Sequence, residues 1–132
     1  MRWDAVQDAV VAALQADSAL VTELGGPYIY LASASRPVQI PSVEYMMVFD
    51  REVESLNPIM FQIDYFARGN AQARVIERRI RQVLHRDVRR SFAGSDCATL
   101  YEDSRDHDHP EPGVVHRSLD FRFEPVREYL TT

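Results

Sequence analysis

The stretch His-Arg-Ser-Leu-Asp-Phe-Arg-Phe-Glu at 116–124 constrains this chain most, because Arg117, Leu119, Phe121 and Phe123 alternate strictly with His116, Ser118, Asp120, Arg122 and Glu124. Successive side chains of a strand point to opposite faces, so this run fits a sheet with one face packed and the other polar. Two more runs keep the same period. Val43, Tyr45, Met47 and Phe49 alternate with Glu44, Met46, Val48 and Asp50, and Ile59, Phe61, Ile63 and Tyr65 with Met60, Gln62, Asp64 and Phe66. The polar stretch 51–58 between them predicts an antiparallel hairpin with a long tip. That tip is acidic, with Asp50, Glu52 and Glu54. Tyr28 to Leu31 reads as a short strand and Cys97 to Glu102 as a further one, whereas Asp103 to Pro112 has the composition of an exposed loop.

Helical periodicity fills the intervals. Trp3, Val6, Val10, Ala13 and Leu14 recur at three- and four-residue steps, with Asp4, Gln7, Asp8 and Gln15 opposite them. Asp17 or Ser18 is placed to cap a short helix through Leu20, Val21 and Leu24, which Gly25-Gly26 ends. After Gly69-Asn70, the segment from Ala71 to about His85 has a buried stripe of Ala73, Ile76, Ile80, Val83 and Leu84. Its outer face carries Arg74, Glu77, Arg78, Arg81 and Arg86. Strands follow one another without strict βα alternation. The expected fold is α+β, a mostly antiparallel β-sheet with two main helices packed on one face, in a single domain over 1–132.

Composition narrows the function. With 132 residues, 45% of them hydrophobic, the chain is long enough for one self-supporting core. No run approaches the roughly 18 apolar residues of a membrane span, and the N-terminus opens into an amphipathic segment instead of a signal peptide, so a soluble chain without a membrane partner is expected. Cys97 is the single cysteine, which excludes an internal disulfide and fits an intracellular site of synthesis. All 15 basic residues are arginine, and the formal net charge is −5. An acidic chain is poorly suited to tight wrapping of phosphates. The absence of lysine excludes any chemistry that needs an amine base or nucleophile.

The residues that could carry chemistry are few. His107, His109 and His116 lie close in sequence and raise a zinc site, but their spacing matches no helix-borne or finger pattern, and solvated loop residues are the preferred reading. Asp64 and Glu77 could form the carboxylate pair of a divalent-metal nuclease, yet the lysine usual near the scissile phosphate is absent. Cys97 has no signalled histidine partner, no serine lies in a nucleophile elbow, and the five glycines form no phosphate loop. No catalytic residue, metal or cofactor is therefore expected. Arg74, Arg78 and Arg81, with Arg79, Arg86, Arg89 and Arg90 nearby, form the one basic cluster and are read as subunit or partner contacts rather than a nucleic-acid surface. On the sheet face away from the helices, Met46, Val48, Met60 and Phe66 mix with Gln62, Asp64, His116, Ser118, Asp120, Arg122 and Glu124. That mixture predicts partial burial against another subunit. An enzyme or small-molecule binder on the same scaffold is the alternative class, with the face around Asp64, His116 and Asp120 as its only expected site.

Several segments resemble the tail terminator, or tail-completion, family of long-tailed phages and gene transfer particles. Leu14-Gln15-Ala16-Asp17-Ser18-Ala19-Leu20-Val21, then Gly25-Gly26 and Tyr28-Ile29-Tyr30, are similar to the opening of that family. Pro41 to Val48 resembles its proline-led strand, Phe61 to Gly69 the strand entering the second helix, Ala71 to His85 that helix, and His116 to Phe123 the closing strand. The loop 103–112 and the density of arginine depart from the pattern. The resemblance implies a structural virion protein in a hexameric ring at the head-proximal end of the tail, assembled in the host cytoplasm. Its implied partners are copies of itself, the tail tube protein and a neck or head-completion protein, with DNA passing through the lumen unbound. Another neck or head-completion ring protein is the runner-up. An acidic lining would let DNA slide, which places Asp50, Glu52 and Glu54 at the lumen or an axial rim as an expectation.

Overall fold

The structure is a computed structural model that describes residues 3–31, 39–47, 59–92 and 95–125. Helix α1, Trp3–Gln15, buries Val6, Val10 and Leu14, which recur at four-residue steps on one side. Asp17 then caps α2, Ser18–Leu24, its carboxylate accepting the Leu20 amide at 3.0 Å. Gly25 ends this helix in the left-handed region (φ 79°). Its amide donates to the Thr22 carbonyl and that of Gly26 to the Val21 carbonyl, a six-to-one closure that satisfies two carbonyls of the last turn.

Six strands follow: β1, Ile29–Leu31; β2, Ser42–Met47; β3, Ile59–Arg68; and, after helix α3, Asn70–Leu84, β4, Arg86–Phe92; β5, Ser95–His107; and β6, Val114–Pro125. They form one sheet in the order β1-β2-β3-β6-β5-β4, antiparallel at every step except the parallel β1–β2 pair. The α+β class and the antiparallel bias expected from the alternating runs are what the chain adopts. Among the described residues no helix is long and apolar enough to cross a membrane.

One face of the sheet meets the helices. Val43, Tyr45, Phe61, Ile63, Tyr65, Leu119, Phe121 and Phe123 pack there with Leu20 and Leu24 of α2 and with Ala73, Ile76, Ile80 and Leu84 of α3 in a single apolar cluster. Aromatic rings cross it from strand to strand: Tyr45 to Phe61 at 5.9 Å, Phe61 to Phe121 at 5.4 Å and Phe121 to Tyr101 at 5.7 Å. The end of α3 is fastened to β5, where the Thr99 hydroxyl donates to the Leu84 carbonyl and the Tyr101 amide donates to His85 Nδ1.

Two expectations from the sequence are corrected here. Residues 103–107 are not loop, because β5 continues through them and pairs with β6 as far as His107 opposite His116. Between Tyr101, opposite Phe121, and Asp103, opposite Asp120, β5 holds one residue more than its partner, so Glu102 forms a bulge. The alternation of faces inverts there, which hides the strand from a period-two reading. Arg86 belongs to β4 and not to the outer face of α3. The acidic tip with Asp50, Glu52 and Glu54, together with Val48, lies outside the described residues.

Candidate functional site

Registered pairing sorts the outward face into rungs that each cross four strands. Ser42, Phe66, His116 and His107 share one rung; Glu44, Asp64, Ser118 and Arg105 the next; Met46, Gln62, Asp120 and Asp103 the third. Seven of these side chains, those of His116, His107, Asp64, Ser118, Arg105, Gln62 and Asp120, form one connected polar cluster. His116 Nε2 lies 3.0 Å from Asp64 Oδ2, and Gln62 Nε2 donates to Asp64 Oδ1 at 2.6 Å and to Ser118 Oγ at 3.2 Å. His107 Nε2 is 2.6 Å from the same Ser118 hydroxyl, and its ring stacks on that of His116 at 4.4 Å. Arg105 reaches Gln62 Oε1 at 2.7 Å and Asp120 Oδ1 at 3.2 Å.

Burial pushes both carboxylates the same way, but their neighbours set opposite net shifts. Burial raises the pKa of Asp64, but hydrogen bonds from His116, Ser118 and Gln62 together outweigh it, and the net pKa falls below the usual carboxylate value. For Asp120, burial and the nearby charges of Asp103 and Asp64 prevail over Arg105, and the pKa rises. These bonded side chains form a polar layer rather than an open pocket, whereas Ser42 Oγ, on the first rung, is buried without a hydrogen-bond partner among the described residues. Ser118 is fully buried and Asp64 nearly so.

Two of the histidines are strand and not loop residues, since cross-strand pairing brings His107, still exposed, and His116 together; His109 lies in the loop after β5 and meets the edge of Phe66 at 6.0 Å. Among the described residues no group of three or more His, Cys, Asp or Glu side chains is placed to hold a metal ion. Asp64 and Glu77 do not converge either. Asp64 faces outward, whereas Glu77 accepts from Tyr65 Oη at 2.8 Å on the opposite face of the same strand. Phe66 keeps its outward parity but is buried beneath His116, ring to ring at 4.1 Å, so it is not a free contact residue. Met60 is half-buried, and Met46 is exposed on this face, its sulfur 3.9 Å from Gln62 Nε2. Cys97 lies in β5 opposite Pro125.

An open concavity lies on the other side of the sheet. A groove of about 1010 Å³ runs along α3, walled by Arg74, Arg78 and Arg81 and floored in part by Tyr65, Tyr101 and Val115. Arg117 of β6 reaches up beside it, donating to Glu77 and, at 2.6 Å, to Ser104 Oγ. Asp106 adds an ion pair at 2.8 Å to Arg117 Nε. Glu77 also raises the phenol pKa of Tyr65, next to the larger effect of burial. Arg81 lies over the Tyr101 ring at 4.1 Å, with its Nη1 3.6 Å from Glu77. Glu77 is hence a network centre and not part of a solvated helix face. Arg117 keeps the packed-face parity of Leu119, but no local pattern shows that Glu77, 40 positions earlier on α3, lies against it.

No family model matches the chain, and no curated protein matches it. Among solved structures, a chain of the virion of a native gene transfer agent particle has the same fold, with a TM-score of 0.69 at 19% identity, over 92% of this chain and 95% of that one. A second structure, the hub protein Dit of phage SPP1 from the adsorption apparatus of phages infecting Gram-positive bacteria, overlaps 64% of this chain and 40% of its own at 20% identity. With a TM-score of 0.33 it bears no weight.

Proposed function

We propose that this chain is a structural subunit of a phage-like tail, assembling with copies of itself into a six-membered ring. The ring caps the head-proximal end of the tail tube, ends tube growth and joins the tail to a neck or head-completion protein. The observation that carries this reading is the end-to-end likeness, 92% of one chain against 95% of the other, to a chain of a gene transfer agent virion. The polar cluster is consistent with it. The Asp64 and Ser118 side chains bond to neighbours within the sheet, as expected of a face that rigidifies a subunit and not of one poised for a substrate. Exposed apolar side chains remain at the sheet's first two strands, Leu31 at 44% and Met46 at 39%, and these suit a protein neighbour.

Electron microscopy of particles produced without this gene tests the reading. Overlong or ragged tails beside separate filled heads are the expected result. Tails of normal length lying apart from heads would make the chain a neck protein, and normal joined particles would end the virion reading.

A further inference from the structure

We propose that the arginine-walled groove along α3 receives an acidic segment of a second copy of this chain, residues 50–54. This rests on the self-association in the reading above and not on a place in a virion. The groove holds four arginines, Arg74, Arg78, Arg81 and Arg117, against two carboxylates, Glu77 and Asp106. Asp106 and Glu77 pair with Arg117, and Glu77 also lies 3.6 Å from Arg81, which leaves Arg74 and Arg78 as the surplus positive charge of the helix wall. Arg74 and Arg78 are exposed and have no carboxylate partner among the described residues. Such a surplus stands out on a chain of net charge −5.

The groove's shape and floor point to a peptide. Arginines flank aromatic and apolar surface from Tyr65, Tyr101 and Val115, a lining that suits a chain with both side-chain kinds. A phosphate backbone would meet Glu77 and Asp106 from within and a net acidic protein from without, so nucleic acid is disfavoured. The sequence Asp50-Arg51-Glu52-Val53-Glu54 carries its three carboxylates at alternate positions. Bound in extended form, it presents them on one side about 6.6 Å apart. Arg74, Arg78 and Arg81 follow one another along α3 at about 6 Å and about 4.5 Å, and their long stems absorb the remaining mismatch. Groove and segment are different patches of one chain, so the contact is head-to-tail, the kind that closes into a ring when the rotation permits.

A fluorescent peptide of residues 48–56, titrated into the purified chain and followed by anisotropy, tests this. Binding that weakens with salt is expected. The triple variant Arg74→Glu/Arg78→Glu/Arg81→Glu is expected to lose about tenfold or more in affinity, a difference within reach of three reversed charges. All three side chains are exposed, so the fold should survive; circular dichroism checks this, and Arg74→Gln/Arg78→Gln serves if it does not. The charge-reversed peptide should instead prefer the reversed groove. Equal affinity for wild type and variant, no binding to any form, or tighter capture of duplex DNA by the same arginines would overturn the proposal. So would peptide binding confined to a chain carrying Asp50→Arg/Glu52→Arg/Glu54→Arg at concentrations where the wild type sediments as a monomer, since that places each segment in its own groove. If the peptide fails while deletion still gives overlong tails, the ring reading stands and this contact falls.

Discussion

Asp64 and Asp120 sit on adjacent strands of one sheet face, yet they respond oppositely to the fold, and pH separates them. Asp64 has a folded pKa below its unfolded value near 3.8, so its stabilisation is present above that pH and is lost as pH falls through the lower folded value. Asp64→Asn is expected to cost about 1–3 kcal/mol at pH 7, as for a buried hydrogen-bonded charge, and to flatten the acid limb of a melting-temperature profile below about pH 4. Asp120 has a raised folded pKa. Its contribution is complete below about 3.8 and fades as pH rises through the folded value. Asp120→Asn is therefore expected to raise the melting temperature at pH 7 and to leave it unchanged under acid, and a loss at pH 7 would contradict the sign. A third carboxylate acts on the helices: Asp17 caps α2 and also takes Arg79 Nη2 at 2.6 Å and Nε at 3.0 Å. Asp17→Ala should lose about 1–2 kcal/mol from the missing cap, read by urea denaturation. The cap was legible in the sequence because its partner is three residues away; Arg79, 62 positions on, was not.

At the scale of elements, what could be read from sequence was local period, and what could not was pairing between distant segments. β3 and β6 showed their faces through alternation, and α3 its stripe, because each pattern is complete within one segment. β4 is a strand of sequence Arg-Asp-Val-Arg-Arg-Ser-Phe whose period is obscured by charge, and the parallel partnership of β1 with β2 leaves no local trace. The bulge in β5 hid the rest, and it makes a sharp prediction. Removing Glu102 makes the ladder regular while Tyr101 and Asp103 keep their partners, at the loss of an exposed ion pair with Arg122 at 3.0 Å. Removing Arg105 forces either Asp103 and Ser104 or Asp106 and His107 onto the wrong face. Urea midpoints are expected to fall far less for the Glu102 deletion than for the Arg105 deletion; equal losses would mean that the bulge itself is indispensable.

For the molecule as a whole, Met46, Met60 and Phe66 share one parity and would be grouped as a single contact surface on sequence grounds, but burial divides them. Phe66 lies 6% exposed under His116 and near His109, whereas Met46 is 39% exposed at the end of its rung. The division arises because β5 extends to His107 and the turn after it brings His109 over the sheet, neither of which can be inferred until the bulge is known. The two kinds of position should then fail differently. Phe66→Ala removes a ring packed between strands and is expected to cost about 3 kcal/mol or more, seen as a lower unfolding midpoint of the isolated chain. Met46→Glu adds a charge where solvent already reaches, so the isolated chain should unfold within about 0.5 kcal/mol of wild type. In an assembly that covers this face, the same charge is desolvated without a partner and becomes costly. Met46→Glu is therefore expected to leave the monomer intact while reducing self-association in sedimentation velocity and the yield of joined particles. If association and yield match wild type, the exposed end of the β1–β2 edge faces solvent in the assembly, and the contacts between subunits must be sought along α3 instead.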